Sequence, residues 1–306
     1  MNDRLKTFVA EHFSSHAEDW RIVYDAGQDR IDKFYSQNLI DRKTAVLNAI
    51  DGYSNGRPLK ILDVGCGPGI LMDEVLQRGH SVAGVDISRE MQNQALSVAK
   101  KYAGRAVCMQ GDIESLPFVD NAFDAVMCIG VLSYLHDDRK SIAEMSRVVR
   151  PGGLVIVALP NLLRLNVWFD PYYYLYLGPR QLCLGIRQRS TPHPLPTKPG
   201  TVDRIMRKYR PKQLSAIFRS QDLLETDCRG IGYGPFTLWR KAVFSTGRSL
   251  RISQGIERLS SRKGLTLLSS LANHWVICLR KGTRPNSDEL LNAAKKNDTC
   301  NRSVQS

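Results

Sequence analysis

Three glycines at two-residue spacing follow an apolar stretch and an aspartate, in the order Asp63, Gly65, Gly67 and Gly69. Glycine has no Cβ, so a chain can turn sharply after a strand and bring its backbone N–H groups close to a ligand. The spacing therefore predicts a loop that binds a nucleotide cofactor. A dinucleotide fingerprint needs its third glycine at position 70, where this chain has Ile70, so the loop argues against NAD.

Two more aspartates follow short apolar stretches. Asp86 ends the stretch that begins at Ser81, and Asp112 follows the stretch 106–110. The carboxyl ends of parallel strands meet at one edge of a sheet, so we expect Asp86 beside the glycine loop, where it accepts hydrogen bonds from both ribose hydroxyls. A buried carboxylate such as Asp63 is costly unless it is paired, which favours a ligand for it as well.

The elements that position these residues alternate between strand and helix. Five apolar strands alternating with helices predict an α/β fold with a doubly wound parallel sheet. Two later stretches complete a seven-stranded, Rossmann-like sheet. The predicted strands are 61–64, 81–86, 106–110, 123–129, 153–159, 223–231 and 274–280, with helices near 71–78, 89–102 and 137–149.

From residue 60 to 161 the chain resembles the class I S-adenosylmethionine-dependent methyltransferases, and in particular the type 11 and ubiquinone-type O-methyltransferases. Four separated motifs carry the resemblance: the glycine loop, Asp86, Asp112 within Gly-Asp-Ile-Glu-Ser-Leu-Pro-Phe, and Val-Arg-Pro-Gly-Gly at 149–153. The resemblance implies a methyltransferase with S-adenosylmethionine as its cofactor and no metal.

The resemblance also implies a role for each residue of the site. It assigns the loop backbone from Gly65 to Gly67 to the methionine part of the cofactor and Asp86 to its ribose. Ile87 and Ile113 would contact the adenine, and Ile129, at the end of the fourth strand, would lie near the sulfonium. The full expected cofactor-binding set is Asp63, Gly65, Cys66, Gly67, Gly69, Asp86, Ile87, Asp112, Ile113 and Ile129.

The implied reaction is attack by a nucleophile on a methyl carbon that the cofactor has already activated, so the protein supplies orientation and a water-poor pocket. A hydroxyl acceptor gains from a general base within hydrogen-bond reach. The family often carries a Glu-His pair after the fourth strand, where this chain has Ser133-Tyr134. His136, two positions on, is the candidate base. The alternative is an exposed histidine at a helix start.

We expect five parts along the chain. A helical arm covers the cofactor mouth, a cofactor-binding core follows, and a tyrosine- and arginine-rich insertion serves as an acceptor lid. The remainder of the sheet contains a second, largely helical insertion at 238–272, and a disordered tail ends the chain. Their boundaries are 1–56, 57–161, 162–209, 210–282 and 283–306.

Charge is divided unevenly between the halves. Residues 1–161 hold 18 Lys and Arg against 21 Asp and Glu, whereas residues 162–306 hold 25 against 9. A basic acceptor-side half favours an anionic partner, either an acidic headgroup, a phosphorylated or carboxylated acceptor, or nucleic acid. The Asn-Pro-Pro-aromatic motif of base-amine methyltransferases does not follow the fourth strand, which disfavours nucleic acid. The tyrosine-rich insertion favours peripheral contact with an anionic membrane, and a generic solvated face stays open.

The sequence also carries information on the compartment. No signal peptide and no charge-free apolar run of about 18 residues is present, so we expect a cytoplasmic protein or one peripheral to the inner face of a membrane. The 7 cysteines are odd in number and lack metal-ligand spacing. They agree with a reducing compartment and argue against structural zinc.

These features predict a methyltransferase that acts at oxygen on a small-molecule or lipid-like acceptor. Methylation of carbon or of RNA stays open. A non-catalytic S-adenosylmethionine-binding protein also stays open, because binding and catalysis need the same loop. An NAD-linked oxidoreductase is opposed by Ile70 and Asp112.

Overall fold

The computed structural model describes residues 2–18, 20, 33–135, 137–162, 164–165, 170–172, 175, 207, 209–239, 241–260 and 266–283. The candidate base His136, most of the expected acceptor lid and nearly all of the expected tail lie outside the described residues. The expected cofactor-binding core lies inside them.

In the described residues before the sheet, α1 is Asn2–Ser15 and α2 is Lys33–Ser54. The core consists of β1 (Lys60–Val64), α3 (Ile70–Gln77), β2 (Ser81–Asp86), α4 (Arg89–Ala99), β3 (Ala106–Gln110), β4 (Phe123–Ile129), α5 (Asp138–Val148) and β5 (Val149–Pro160). It is followed by α6 (Pro211–Ser220), β6 (Leu223–Ile231), β7 (Thr237–Leu238), β8 (Lys241–Ala242), α7 (Thr246–Ser260), α8 (Thr266–Ser269) and β9 (His274–Lys281). None of the described helices has the length and apolar character to span a bilayer.

The main sheet has seven strands in the order β3-β2-β1-β4-β5-β9-β6, which confirms the predicted fold class. Strands β1 to β5 are parallel, while β9 runs antiparallel to both β5 and β6. The strand order reverses direction between β1 and β4. In open α/β sheets a ligand crevice forms at such a reversal, outside the carboxyl ends of the strands.

The central strands of the sheet are buried on both faces, which explains why they are nearly continuous apolar runs; they are β1, β2, β4, β5 and β9. The edge strands β3 and β6 are partly exposed. Ile61 and Met127 face α2 and α3, where they pack with Val46 and Val75. The opposite face, which includes Leu62, packs against α5 and α6. Alternate residues of a strand point to opposite faces, so helices pack on both sides of the sheet and fix the positions of the carboxyl ends of the strands.

Local capping residues set the starts of two core helices. Ser88 Oγ accepts a hydrogen bond from the Met91 backbone N–H at 3.2 Å at the start of α4. Asp137 Oδ1 accepts one from the Arg139 backbone N–H at 3.0 Å at the start of α5. Such caps satisfy backbone donors that the helix leaves free at its N-terminus.

Two regions of strand differ clearly from the sequence prediction. Strand β5 begins at Val149 rather than at residue 153, because Val149 is buried and already pairs with Phe123 across a bulge in the β4–β5 register. The insertion at 238–272 opens with a two-stranded hairpin, β7 and β8, before its helices begin. The prediction of a largely helical segment missed this hairpin, whose strands are only two residues long.

Candidate active site

A cavity of about 270 Å³ opens at the carboxyl ends of β1, β2 and β4, with α1 and α2 over it. Nine of the ten expected cofactor residues line the cavity. Gly69 is the exception, since it packs against α4, where a Cβ at Gly69 would lie 3.1 Å from Ala95 Cα. The nine lining residues are Asp63, Gly65, Cys66, Gly67, Asp86, Ile87, Asp112, Ile113 and Ile129.

The loop after β1 binds β2 through its own N–H groups. The N–H groups of Gly65 and Cys66 both donate to Val85 O, at 2.7 and 3.1 Å. The N–H of Gly67 donates to Asp86 Oδ2 at 2.8 Å. Gly65, Cys66 and Gly67 line the cavity, so the assignment of their backbone to the methionine part of the cofactor stays a prediction, although their N–H groups already donate to acceptors on β2.

The loop needs glycine at position 65 for two reasons. The φ of Gly65 is +69°, in the left-handed region that side chains disfavour. A Cβ there would also lie 2.2 Å from Val131 Cγ2. Only glycine allows β1 to turn under the segment that follows β4.

Asp63 lies at the floor of the cavity and is only 3% exposed. Its Oδ2 atom is buried and has no hydrogen-bond partner in the described part of the chain. Burial, and then the negative charge of Asp86, raises the pKa of Asp63 to about 8. A buried carboxylate without a partner is complementary to a cation. The ammonium of a methionine moiety fits this position chemically.

Asp86 is held in a fixed orientation at the end of β2. Its Oδ1 accepts from the Ser88 backbone N–H at 2.8 Å, and its Oδ2 accepts from Gly67. Burial raises the pKa of Asp86, although the hydrogen bonds from Ser88 and Gly67 act in the opposite direction. Each carboxylate oxygen keeps a second lone pair, so the group can still accept from ligand hydroxyls.

Asp112 lies at the other end of the cavity, where α1 reaches it. Lys6 Nζ forms ion pairs with Asp112 and, at 2.7 Å, with Glu114. Burial lowers the pKa of Lys6, but the hydrogen bonds and charges of these two carboxylates outweigh it and raise the pKa overall. Helix α1 is also tied to α4 by the 2.9 Å contact between the hydroxyls of Ser14 and Ser88.

Sequence reasoning missed Lys6 and His274, which both line the cavity and were not assigned to the site. Lys6 is separated from Asp112 by 106 residues, so no local spacing signals their ion pair. His274 starts β9, which comes last in the chain but lies beside β5 in the sheet. The histidine that the sequence analysis assigned as the base, His136, lies outside the described residues.

Comparison with known proteins agrees with this site. A family profile described as "Methyltransferase domain" matches residues 62–157. The chain is 27% identical over 241 residues to the mitochondrial ubiquinone biosynthesis O-methyltransferase of Schizosaccharomyces pombe, covering 76% of this chain and 78% of the relative. It is 30% identical over 196 residues to the ubiquinone biosynthesis O-methyltransferase of Paraburkholderia phymatum, covering 62% and 75%.

Solved structures show the same fold. Magnesium protoporphyrin IX methyltransferase from Synechocystis with bound S-adenosylhomocysteine has a TM-score of 0.59 and 16% identity, over 91% of this chain and 100% of that one. A Burkholderia thailandensis 1,6-didemethyltoxoflavin N1-methyltransferase has a TM-score of 0.56 and 16% identity, over 92% and 91%. The chain belongs to the class I S-adenosylmethionine-dependent methyltransferases. It is a methyltransferase, and its cofactor is S-adenosylmethionine.

Proposed function

We propose that the enzyme methylates an oxygen atom of a small-molecule or lipid-like acceptor. The observation that carries the proposal is one continuous cavity with three aspartates, Asp63, Asp86 and Asp112, at its β1–β3 side and His274 of β9 at the other side. In this proposal the cofactor occupies the part of the cavity toward β1 to β3, and the acceptor occupies the part toward β9. The carboxyl end of β4 lies between the two parts. The relatives from S. pombe and P. phymatum are named as O-methyltransferases, which supports oxygen as the acceptor atom.

We assign the cofactor end as follows. Asp86 binds the ribose hydroxyls and Asp63 pairs with the methionine ammonium, while Asp112 binds the adenine edge. Ile87 and Ile113 pack on the adenine, both as cavity-lining residues. These assignments follow the order of the strands in the sheet: Asp112 comes after β3, Asp86 ends β2, and Asp63 lies in β1.

The reaction needs orientation more than acid–base chemistry from the protein. The bound cofactor supplies a methyl group on a positively charged sulfur. Ile129 and the segment from Gly130 to Leu135 form the wall at which the acceptor oxygen meets that methyl group. Phe13 of α1 packs edge-on against Tyr134 at a centroid distance of 5.2 Å, which closes the wall against water. His136 is proposed to take the proton that the acceptor hydroxyl loses.

The decisive experiment incubates the enzyme with S-adenosylmethionine labelled with ¹³C on its methyl group, together with lipid or aqueous cell extracts. We expect release of S-adenosylhomocysteine with an acceptor from the lipid extract or with a small aromatic acceptor. We expect the product to show the ¹³C chemical shift of a methoxy group. A carbon-bound methyl signal would indicate a C-methyltransferase, and labelled RNA would indicate an RNA methyltransferase. Cofactor binding without release of S-adenosylhomocysteine in any extract would indicate a binding protein.

We also propose peripheral contact with an anionic membrane, through the β7–β8 hairpin and the start of α7. Leu238, Trp239 and Val243 are 49%, 50% and 53% exposed in this segment, and Lys241 and Arg248 are exposed beside them. Apolar side chains flanked by basic ones suit the boundary between headgroups and acyl chains. Asp170 anchors the hairpin, since its carboxylate accepts from Thr237 Oγ1 at 2.7 Å and from the Trp239 backbone N–H at 2.9 Å.

Sedimentation with vesicles tests the membrane proposal. We expect the protein to pellet with vesicles that contain phosphatidylserine at low salt and to release at high salt, because salt screens charge attraction at the surface. Neutral phosphatidylcholine vesicles are the control. Failure to pellet with anionic vesicles at low salt would contradict the proposal.

A further inference from the structure

Two cysteines meet where the loop after β1 passes over β2. Cys66 Sγ and Cys108 Sγ lie 3.8 Å apart, although the two residues are 42 positions apart in the chain. Cys66 belongs to the loop and lines the cavity, whereas Cys108 lies on the edge strand β3 and is not among the lining residues. We call these two side chains the cysteine pair. The pair connects a wall of the cavity with the edge of the sheet.

The backbone holds the cysteine pair at a separation that suits a disulfide. The N–H of Cys66 donates to Val85 O of β2 at 3.1 Å, and Cys108 pairs with Gly84 of the same strand. Neighbouring strands lie about 4.8 Å apart, within the range of about 4.4–6.8 Å between the Cα atoms of disulfide-bonded cysteines. A Cβ at Gly84 would lie 3.0 Å from Cys66 Sγ and 3.4 Å from Cys108 Sγ. Because Gly84 has no Cβ, no side chain of β2 fills the space in which the sulfurs meet.

The two thiols differ in their surroundings. The hydrogen bond with Cys108, and then burial, raises the pKa of Cys66 well above its usual value. Cys66 is buried and stays a neutral thiol at pH 7, while Cys108 is only half-buried. Oxidation by a peroxide favours an accessible sulfur that can ionise. Cys108 is therefore the sulfur that an oxidant meets first, and Cys66 is the thiol beside it.

We propose that a peroxide converts Cys66 and Cys108 into a reversible disulfide that weakens binding of the cofactor. The peroxide first oxidises the Cys108 thiol to a sulfenic acid and releases one water. The sulfur of Cys66 then attacks the sulfenic sulfur, so that the S–S bond forms and the S–O bond breaks. The departing hydroxide takes the proton of Cys66 and leaves as a second water. Two thiols thus lose two electrons, and one hydrogen peroxide becomes two waters.

The disulfide acts on the cofactor through the loop. An S–S bond is about 2.05 Å long, so the sulfurs must approach from 3.8 Å. Five consecutive residue pairs join β3 to β2, so the loop rather than the strand makes most of this movement. Cys66 is followed by Gly67, whose N–H donates to Asp86 Oδ2 at 2.8 Å. A shift of Cys66 toward β3 therefore disturbs the carboxylate that is assigned to the cofactor's ribose.

A reversible disulfide is compatible with a reducing compartment. Disulfides of cytosolic proteins are usually transient and often sense redox conditions, because cellular thiols reduce them again. The inference goes beyond the proposed function, because it concerns the cofactor end of the cavity alone. It does not depend on which acceptor the enzyme methylates.

The test compares the reduced enzyme with enzyme treated with hydrogen peroxide. Mass spectrometry of peptides prepared without reductant identifies the disulfide, and calorimetry measures the affinity for S-adenosylhomocysteine. We expect a disulfide between Cys66 and Cys108 and an affinity about 10-fold or more weaker, the size of one lost charge-assisted hydrogen bond. Dithiothreitol is expected to restore the affinity. Absence of this disulfide overturns the inference, and so does an unchanged affinity once the disulfide has formed.

The matched variants are Cys108→Ser and Cys228→Ser, because Cys228 is also half-buried but lies on β6 at the opposite edge of the sheet. Before oxidation, both variants are expected to bind S-adenosylhomocysteine as wild type does. After peroxide treatment, Cys108→Ser is expected to keep its affinity, whereas Cys228→Ser loses affinity as wild type does. An equal loss in Cys108→Ser would assign the effect to oxidation of another residue and overturn the inference.

Discussion

Asp63 has a buried carboxylate that the cofactor's ammonium is proposed to neutralise. Its pKa is about 8, because burial and then the charge of Asp86 disfavour ionisation, so it is mostly protonated at pH 7. A cation beside it would lower that pKa. We expect S-adenosylhomocysteine binding at pH 7 to release about one proton, as calorimetry in buffers of different ionisation enthalpy would measure.

The control for this proton is a pair of matched variants. Asp63→Asn is expected to abolish proton release and to weaken binding by about 1.5–3 kcal/mol, the scale of a lost charge-assisted hydrogen bond. Asp227→Asn, at an exposed position of β6, is expected to change neither quantity. Undiminished proton release in Asp63→Asn would rule out Asp63 as its source.

The same carboxylate makes the ligand-free protein sensitive to pH. The folded pKa of Asp63 lies above its unfolded value of 3.8, so its contribution to stability is complete below about pH 4 and is lost as the pH rises toward 8. Asp63→Asn removes this loss. We expect the variant to gain stability over wild type by up to about 1.4 kcal/mol per pH unit across this window. Urea unfolding from pH 5 to 8 measures the difference, and a constant difference would contradict the raised pKa.

Gly65 sets the conformation of the cofactor loop, and Val131 is the side chain that requires it. Gly65→Ala adds a left-handed alanine, at about 1–2 kcal/mol, and a clash with Val131 Cγ2. Val131→Ala removes the atom that clashes. We therefore expect the double variant to be more stable than the sum of the two single changes, by at least about 0.5 kcal/mol in thermal or urea unfolding. Strict additivity would show that the loop avoids the clash by moving.

Among the elements, α1 is held over the cofactor end in part by the ion pairs of Lys6. The Glu114 side chain is only 2% exposed, so Lys6→Met would remove a cation from beside a buried carboxylate. We expect faster hydrogen exchange across residues 2–15 in this variant and a lower melting temperature. Lys140→Met, on the exposed face of α5, is the control. Unchanged protection of α1 would mean that its apolar contacts alone hold it.

The sequence was sufficient to predict β1 to β4, because each is an apolar run that ends at or just before a carboxylate or a glycine. Strands β2, β3, β4 and β6 have the predicted bounds. Helices were placed less well at their ends: α4 stops at Ala99 and passes into a 3₁₀ turn, Lys100–Tyr102, that has the same apolar spacing. Short strands such as β7 have too few residues for a periodic pattern.

Side-chain partners across the site were less predictable than the strands. Asp63, Asp86 and Asp112 were found because each follows a strand in its own segment of sequence. The ion pairs of Lys6 with Asp112 and Glu114 depend on how α1 packs against the segment after β3, which no local pattern specifies. Strand β9 lies between β5 and β6, an order that apolar patterning does not specify.

At the scale of the whole molecule, the uneven distribution of charge determines which part of the chain an anionic membrane would attract. The net charge of +13 is concentrated in the residues after 161, and the exposed segment from β7 into α7 belongs to that half. The segment before β7 also packs on α2, since a Cβ at Gly234 would lie 3.0 Å from Phe34 Cζ. Helix α2 in turn lines the cavity. If the proposed membrane contact forms through this segment, the membrane would lie near α2 and therefore near one wall of the cavity.

Trp239 reports on this orientation, because it is half-exposed at the hairpin tip while Trp275 is buried in the sheet. Insertion of the hairpin into the headgroup region would move Trp239 from water to a less polar environment. We expect the fluorescence of Trp239 to shift to shorter wavelength with anionic vesicles. We expect this shift to vanish in Trp239→Phe, although this variant keeps an aromatic side chain at the hairpin tip and is expected to pellet with the vesicles as wild type does. Trp239→Ser is expected to weaken pelleting, because apolar area is lost while the basic charges remain. A full shift in Trp239→Phe would place the contact surface elsewhere on the molecule.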